Sequence, residues 1–95
     1  MKAFVVHQPG EIRYESVPLP ILGARQAHVE VRAVAICSSD VARALHGQAY
    51  FYPIVLGHEI AGVVSALGDG VTNLRPGDRV AVAPLIPCRQ CEWYD

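Results

Sequence analysis

The chain has 95 residues, of which 52% are apolar and 18% are charged, with a formal net charge of −1 and a pI near 6.4. This length suits one domain, and the apolar content excludes a disordered polyampholyte. The near-neutral charge gives no electrostatic reason to expect nucleic acid or an anionic membrane as a partner. The first apolar run breaks at His7, too early for a signal peptide, and no run approaches the ~20 residues of a membrane span. We therefore expect a cytoplasmic protein.

The first thirty-six residues are predicted to be mainly β-strand. A Pro-Gly pair separates KAFVVH from EIRYESVPLP, which alternates before it ends in prolines that cannot donate to a ladder. The third segment, AHVEVRAVAI, places Val29 and Val31 on one face and Glu30 and Arg32 on the other. This alternation predicts a strand with one buried side.

The next segment, CSSDVARALHG, is predicted to form one short helix that begins just after Cys37. Val41 and Leu45 stand four residues apart, and Gly47 stands at the end of the segment. Three residues at the front are of types that cap helices: Ser38, Ser39 and Asp40.

The β pattern returns from Ile54 to Leu67 and again from Arg79 to Ala83. Pro76–Gly77 has the composition of a type II turn, with glycine at the position of positive φ. The whole pattern predicts a mainly β architecture, a small barrel or partly open curled sheet, with one helix and a loop-rich end.

Cys37 and His58 are the first candidate metal ligands. Cys37 falls at a strand-to-helix junction, where free backbone amides favour the thiolate. Twenty-one residues later, LGHE supplies His58 and the adjacent carboxylate of Glu59. Cysteine, histidine and carboxylate are the ligand types of a catalytic zinc site. The alternative is that Cys37 is a small buried apolar side chain and that His58 belongs to the surface or the core.

Two neighbours of Cys37 strengthen the metal interpretation. Ser39 could place its hydroxyl close to an oxygen on a bound metal, and Asp40 could accept the second ring N–H of a ligating histidine. Helix capping is the alternative role, and it suffices for one of these side chains.

Cys88 and Cys91 form a C-x-x-C pair near the end of the sequence. The chain has three cysteines, an odd number that argues against a disulfide framework. No βαβ pattern surrounds the pair, which argues against a thioredoxin-like redox role.

The sequence resembles a known family in the order of its motifs. ICSSD, then YPIVLGHEIAGVVSALGDGV and RPGDRVAV, are similar to the N-terminal catalytic domain of the zinc-dependent medium-chain alcohol and polyol dehydrogenases, over essentially all 95 residues. GQAYFYPIVLGHE and PLIPCRQC resemble the polyol branch, of the galactitol-1-phosphate and sorbitol type. The resemblance implies a GroES-like, partly open β-barrel with one short helix, as an incomplete catalytic domain.

The resemblance also implies roles for individual residues. Cys37 and His58 become ligands of the catalytic zinc, and Glu59 is a carboxylate that ligates in some members. Ser39 becomes the hydroxyl that passes on a proton from the alcohol, and Asp40 orients His58. The implied reaction oxidises a secondary alcohol of a polyol or sugar alcohol, phosphorylated or not, with hydride transfer to NAD or NADP. The remaining protein ligand would lie beyond residue 95.

Several positions depart from the family pattern. Ser38 stands where the polyol branch often has glycine, and Ala42 stands where the ethanol-oxidising enzymes continue their proton relay through a histidine. Cys88 and Cys91 match the first two of the four cysteines of the family's structural zinc lobe. Tyr94 occupies the third position and is a poor zinc ligand.

No G-x-G-x-x-G fingerprint occurs, and Gly68-Asp69-Gly70 is too short a match. Residues 1–95 are therefore expected to be a truncated GroES-like catalytic domain, with the nicotinamide-binding Rossmann domain absent from this chain. We expect the fragment to be inactive alone, and the full-length parent to form a homodimer or homotetramer.

Three alternative functions share this scaffold. A non-catalytic GroES-like binding module would resemble the small co-chaperonins, but the Cys37–His58 pair and the lack of a long mobile loop argue against it. The zinc-free quinone reductases typically lack such a Cys–His pair. A threonine dehydrogenase-like enzyme is an alternative within the zinc-dependent family.

Overall fold

The computed structural model describes residues 1–90, which form six β-strands and one α-helix. In chain order these are β1 (Lys2–Gln8), β2 (Glu11–Ser16), β3 (Ala27–Ala35), α1 (Ser38–Leu45), β4 (Ile54–Val55), β5 (Glu59–Leu67) and β6 (Arg79–Val82). This confirms the predicted mainly β fold with one short helix. No helix in the described part of the chain has the length and apolar character needed to cross a membrane.

The strands form two antiparallel sheets, with the orders β2–β1–β4 and β3–β5–β6. Each sheet ends in two edge strands, so residues 1–90 form an open structure and no closed barrel. The buried apolar residues come from the centre of each sheet: Ala3, Val5, Val6 and Val64. The core is therefore small, and one strand from each sheet supplies it.

The first hairpin and the last turn form where the sequence predicts them. Gly10 has φ +82° between β1 and β2, in the region that glycine adopts without steric cost. Gly77 has φ +95°, and the N–H of Asp78 donates to the carbonyl of Arg75 at 3.1 Å, which closes the predicted turn before β6.

The prediction that β3 has one buried side is wrong. Val31 is 51% exposed, and from Glu30 to Ala35 the strand is exposed on both faces. Two irregularities in the pairing with β5, at His28/Val29 and at Val31/Ala33, explain part of the error. Each such bulge adds one residue to a strand and so changes the face on which later side chains lie. In addition, β5 is the only described element that packs extensively against β3.

The loop before β3 and the loop after β5 are joined by backbone hydrogen bonds at one end of the second sheet. The N–H of Arg25 donates to the carbonyl of Asp69 at 2.8 Å, and the N–H of Gly68 donates to the carbonyl of Gln26 at 2.8 Å. A Cβ atom at Gly68 would lie 1.9 Å from the carbonyl oxygen of Gly23. Glycine is therefore required at position 68 by the close approach of two backbones.

We expect Gly68→Ala to lower the free energy of unfolding by roughly 1–3 kcal/mol, because the loops must separate to admit the methyl group. Urea unfolding followed by circular dichroism measures this change. Gly23→Ala is the matched control, since its Cβ would meet only the movable end of the Gln26 side chain, at 2.9 Å. Equal losses in the two variants would contradict the backbone explanation.

Candidate metal centre

Cys37 is the N-cap residue of helix α1 and has an extended conformation, with φ −94° and ψ 155°. The backbone N–H of Cys37 donates to Asp40 Oδ2 at 3.1 Å, in the arrangement of a capping box. Asp40 is only 8% exposed. The predicted capping role is therefore present, and it uses one of the two carboxylate oxygens of Asp40.

The second oxygen of Asp40 faces His58. Asp40 Oδ1 lies 3.3 Å from His58 Nδ1, an ion-pair distance. The geometry is not that of an aligned hydrogen bond, and Oδ1 is buried without a hydrogen-bond partner in the described part of the chain. Because Nδ1 faces Asp40, Nε2 is the ring nitrogen left for another ligand. The structure thus brings Asp40 and His58 together as the sequence suggests.

Gly57 allows His58 to reach this position. Its φ is +130°, which L side chains rarely adopt, and a Cβ atom there would lie 3.1 Å from Val34 Cγ1. The chain therefore turns tightly between β4 and β5. His58 lies just before β5, which begins at Glu59. Because His58 is not part of the strand, its side chain and that of Glu59 need not lie on opposite faces of the sheet.

Cys37, His58 and Glu59 form one cluster. Their candidate ligand atoms, a thiol sulfur, an imidazole nitrogen and a carboxylate oxygen, all lie within 4.8 Å of one another. Tetrahedral zinc, with bonds of about 2.0–2.3 Å, holds its ligand atoms roughly 3.5 Å apart. Small side-chain rotations close this difference, so the donor set fits zinc in both chemistry and spacing. Cys37 and His58 are half-buried, and Glu59 is exposed.

The neighbours of Cys37 favour its thiolate. They lower the pKa of the thiol from 9.0 to about 7, chiefly through hydrogen bonds from the side chain and then the backbone of Ser39, followed by His58. The pKa of His58 is raised, first by its hydrogen bond to Cys37 and then by the charge of Asp40, although desolvation acts in the opposite direction. Ser39 is thus the main influence on the pKa of the Cys37 thiol, a role that the sequence pattern did not indicate. The feature that could have suggested it is the position of Ser39 in the first helical turn, next to a cysteine N-cap.

An open groove begins at the cluster. Its volume is about 420 Å³, and it runs from His58 and Glu59 along small side chains of β3, β5 and β6, including Ala33, Ala35 and Ala61. The groove is open to solvent beside His58 and Glu59.

Cys88, the described member of the C-x-x-C pair, is separate from this cluster. Cys88 is exposed and does not belong to the group formed by Cys37, His58 and Glu59. Cys91 and Tyr94 lie outside the described residues, so the match of Cys88 and Cys91 to half of a structural zinc lobe, interrupted at Tyr94, stays an expectation from the sequence.

Comparison with known proteins identifies relatives over nearly the whole chain. Mouse sorbitol dehydrogenase is 45% identical, and the match covers 97% of this chain and 27% of that protein. The crystal structure of Escherichia coli galactitol-1-phosphate dehydrogenase superposes with a TM-score of 0.91 at 38% identity, over 97% of this chain and 27% of that one. An alcohol dehydrogenase from E. coli CFT073, solved with NADH, has a TM-score of 0.87 at 36% identity, with the same coverage of 97% and 27%.

These relatives are alcohol and polyol dehydrogenases, and the chain spans only 27% of the length of each. Residues 23–95 match the model of the alcohol dehydrogenase GroES-like domain. The two open antiparallel sheets and the single helix agree with that match, and the family resemblance seen in the sequence motifs is confirmed. The chain belongs to the alcohol dehydrogenase GroES-like domain family.

Proposed function

We propose that this chain is the first part of the catalytic domain of a longer zinc-dependent polyol dehydrogenase, and that Cys37, His58 and Glu59 hold its catalytic zinc. The observation that carries the proposal is the convergence of these three ligand atoms within 4.8 Å at the mouth of a groove. The substrate is a secondary alcohol of a polyol or sugar alcohol. Support for this class comes from the names of the relatives, sorbitol dehydrogenase and galactitol-1-phosphate dehydrogenase.

Zinc bound at these residues would act as a Lewis acid that makes an alcohol hydroxyl more acidic. The residues of this chain prepare the site for it. Cys37 supplies a thiolate near neutral pH, since its pKa is about 7. Asp40, through its contact with His58 Nδ1, keeps the imidazole turned so that Nε2 faces the cluster.

Ser39 is proposed to accept the proton that the alcohol gives up. Support comes from the lowered pKa of Cys37, of which hydrogen bonding by Ser39 is the main cause. A substrate hydroxyl bound at the cluster would find this side chain close by. Ala42 occupies the position five residues after Cys37, so a histidine relay from that position is not available.

Hydride transfer requires a nicotinamide cofactor, NAD or NADP, which we propose is bound by a Rossmann domain later in the longer protein. We expect that longer protein to be a homodimer or homotetramer. If the reading frame is extended past Asp95, a G-x-G-x-x-G motif is expected roughly 70–90 residues on, as suits a second domain of ordinary size.

Zinc binding is expected to depend on Cys37 and His58. After dialysis, the chain should retain about one equivalent of zinc. The variants Cys37→Ser and His58→Ala should lose it, because only three protein ligands are proposed and two do not hold zinc tightly. Inductively coupled plasma analysis measures the metal. The Cys88→Ser, Cys91→Ser double variant is the control and should keep its zinc. Stoichiometric zinc in Cys37→Ser would refute the assignment of Cys37.

The same substitutions test the activity in the longer protein. Reduction of NAD or NADP in the presence of sorbitol or galactitol 1-phosphate should occur with the extended chain and should be lost in Cys37→Ser. Full turnover in that variant would contradict a catalytic role for the cluster.

In metal-free protein, alkylation of Cys37 by iodoacetamide should increase with pH, with a midpoint near 7, because the thiolate is the reactive form and dominates above the thiol pKa. The experiment uses a Cys88→Ser, Cys91→Ser background so that only Cys37 reacts. Ser39→Ala should move the midpoint upward, since hydrogen bonding by Ser39 is the main cause of the lowered pKa. Ser65→Ala, whose hydroxyl bonds the carbonyl of His28, is the control and should leave the midpoint in place. A midpoint near 9 in the parent background would show that the neighbours do not act on the thiol.

Asp40→Asn should separate the two roles of Asp40. The asparagine keeps an oxygen for the N–H of Cys37 but removes the charge that faces His58, so zinc affinity should fall roughly 10- to 100-fold. Helix content by circular dichroism should stay the same, whereas Asp40→Ala should reduce stability by about 1 kcal/mol as well. Competition with a chromophoric chelator measures the affinity, with Asp69→Asn, in a remote turn, as the control. Unchanged affinity in Asp40→Asn would remove Asp40 from the site.

A further inference from the structure

Helix α1 is not held in place by a buried apolar face. Asp40 is the one buried residue of the helix, and Leu45 is 49% exposed. A helix in a small domain usually docks through an apolar stripe, and the burial of that stripe fixes its position. Because α1 lacks this contact within the described chain, the interactions at its two ends decide where Cys37 lies.

At the C-terminal end, two carbonyls of the last turn are bound by residues from other segments. The last carbonyls of a helix have no partner within the helix, and they are satisfied by whatever donor is near. The carbonyl of Ala44 accepts the N–H of Gly10, in the turn of the first hairpin, at 2.8 Å. The carbonyl of Arg43 accepts a hydrogen bond from the hydroxyl of Tyr52.

Tyr52 links this end of the helix to the segment that carries His58. Its hydroxyl also accepts the N–H of Ala49 at 3.4 Å, which folds the loop after the helix back onto the helix. Between Tyr52 and His58 there are only the two-residue strand β4 and a short turn. The hydroxyl therefore joins the helix that begins at Cys37 to the segment that ends at His58.

We propose that Tyr52 is a positioning residue that sets the separation of Cys37 and His58. An eight-residue helix is a rigid rod of roughly 12 Å, so a change in how its last turn is held is passed on to its first residue. Without the hydroxyl, the last turn and the following loop lose their shared contact, and Cys37 is free to move relative to His58. The consequence for metal binding rests on the proposed zinc site, whereas the tie between the two segments does not.

The test compares Tyr52→Phe with Tyr50→Phe in the full chain. Both substitutions remove one hydroxyl from the same loop, but Tyr50 is 99% exposed and makes no hydrogen bond in the described structure that would be lost. Cobalt(II) is the probe, because its visible spectrum reports both the affinity and the geometry of thiolate and imidazole ligands. We expect cobalt binding to be roughly 3- to 10-fold weaker in Tyr52→Phe, with an altered spectrum, and unchanged in Tyr50→Phe.

Hydrogen exchange of metal-free protein gives a second readout that needs no metal. In Tyr52→Phe, exchange should be faster at the amide of Ala49 and also at the amide of Cys37, at the opposite end of the helix. Gly68→Ala controls for general loss of stability, since it lies in the distant loops and should leave the cobalt spectrum as in the parent chain.

The possible outcomes are distinct. If the parent chain binds no cobalt but exchange at Cys37 responds to Tyr52→Phe, the zinc site is refuted and the positioning role stands. If the parent and Tyr52→Phe bind cobalt equally and exchange at Cys37 does not change, the positioning role is refuted and the site stands. If Gly68→Ala alters the spectrum as Tyr52→Phe does, the effect is one of stability and the positioning role is also refuted.

Discussion

A carboxylate that is removed from water costs free energy unless its charge is compensated, and the two oxygens of Asp40 face two separate segments. Oδ2 accepts the backbone N–H of Cys37, and Oδ1 faces Nδ1 of His58. The same side chain therefore caps the start of the helix and lies against the histidine. Ser39, in the same helical turn, is the main cause of the lowered pKa of Cys37. The further contribution of His58, and the position of Glu59 beside Cys37, depend on this convergence of the helix start with the segment before β5.

The two shifted pKa values have opposite effects on metal binding. A ligating cysteine must be a thiolate and a ligating histidine must be neutral. The lowered pKa of Cys37 favours the form that binds, whereas the raised pKa of His58 favours the protonated form that does not. Zinc bound at the proposed site would compete with protonation of His58, and the contact of Asp40 with Nδ1 would favour the tautomer that leaves Nε2 free to bind.

Local chemistry made part of this molecule predictable from sequence. The start of α1 after Cys37, the turn at Pro76–Gly77 and the proximity of His58 to Asp40 each depend on residue types with strong backbone or ligand preferences, and the structure contains all three. Whether the cluster holds zinc remains a proposal, and the prediction for Cys91 lies outside the described residues.

Other features depended on contacts that no local pattern records. The faces of β3 could not be predicted, because two irregularities in its pairing interrupt the alternation and few described neighbours cover it. The hydroxyl of Tyr52 donates a hydrogen bond to the backbone carbonyl of Arg43, nine residues earlier in the chain. Every residue has such a carbonyl, so the residue type at position 43 does not indicate the bond. Such a bond depends on how the loop folds and has no signature in the side chains.

The exposure of β3 has a consequence for how this part of the protein behaves by itself. Within residues 1–90, β3 is an edge strand with no strand paired to its outer side, and exposed valines such as Val31 and Val34 lie on its faces. An edge of this kind is a template on which a strand from another molecule can add. Residues 1–90 produced alone would thus be prone to self-association through β3, and a chain segment that covered this edge would act first as protection against aggregation.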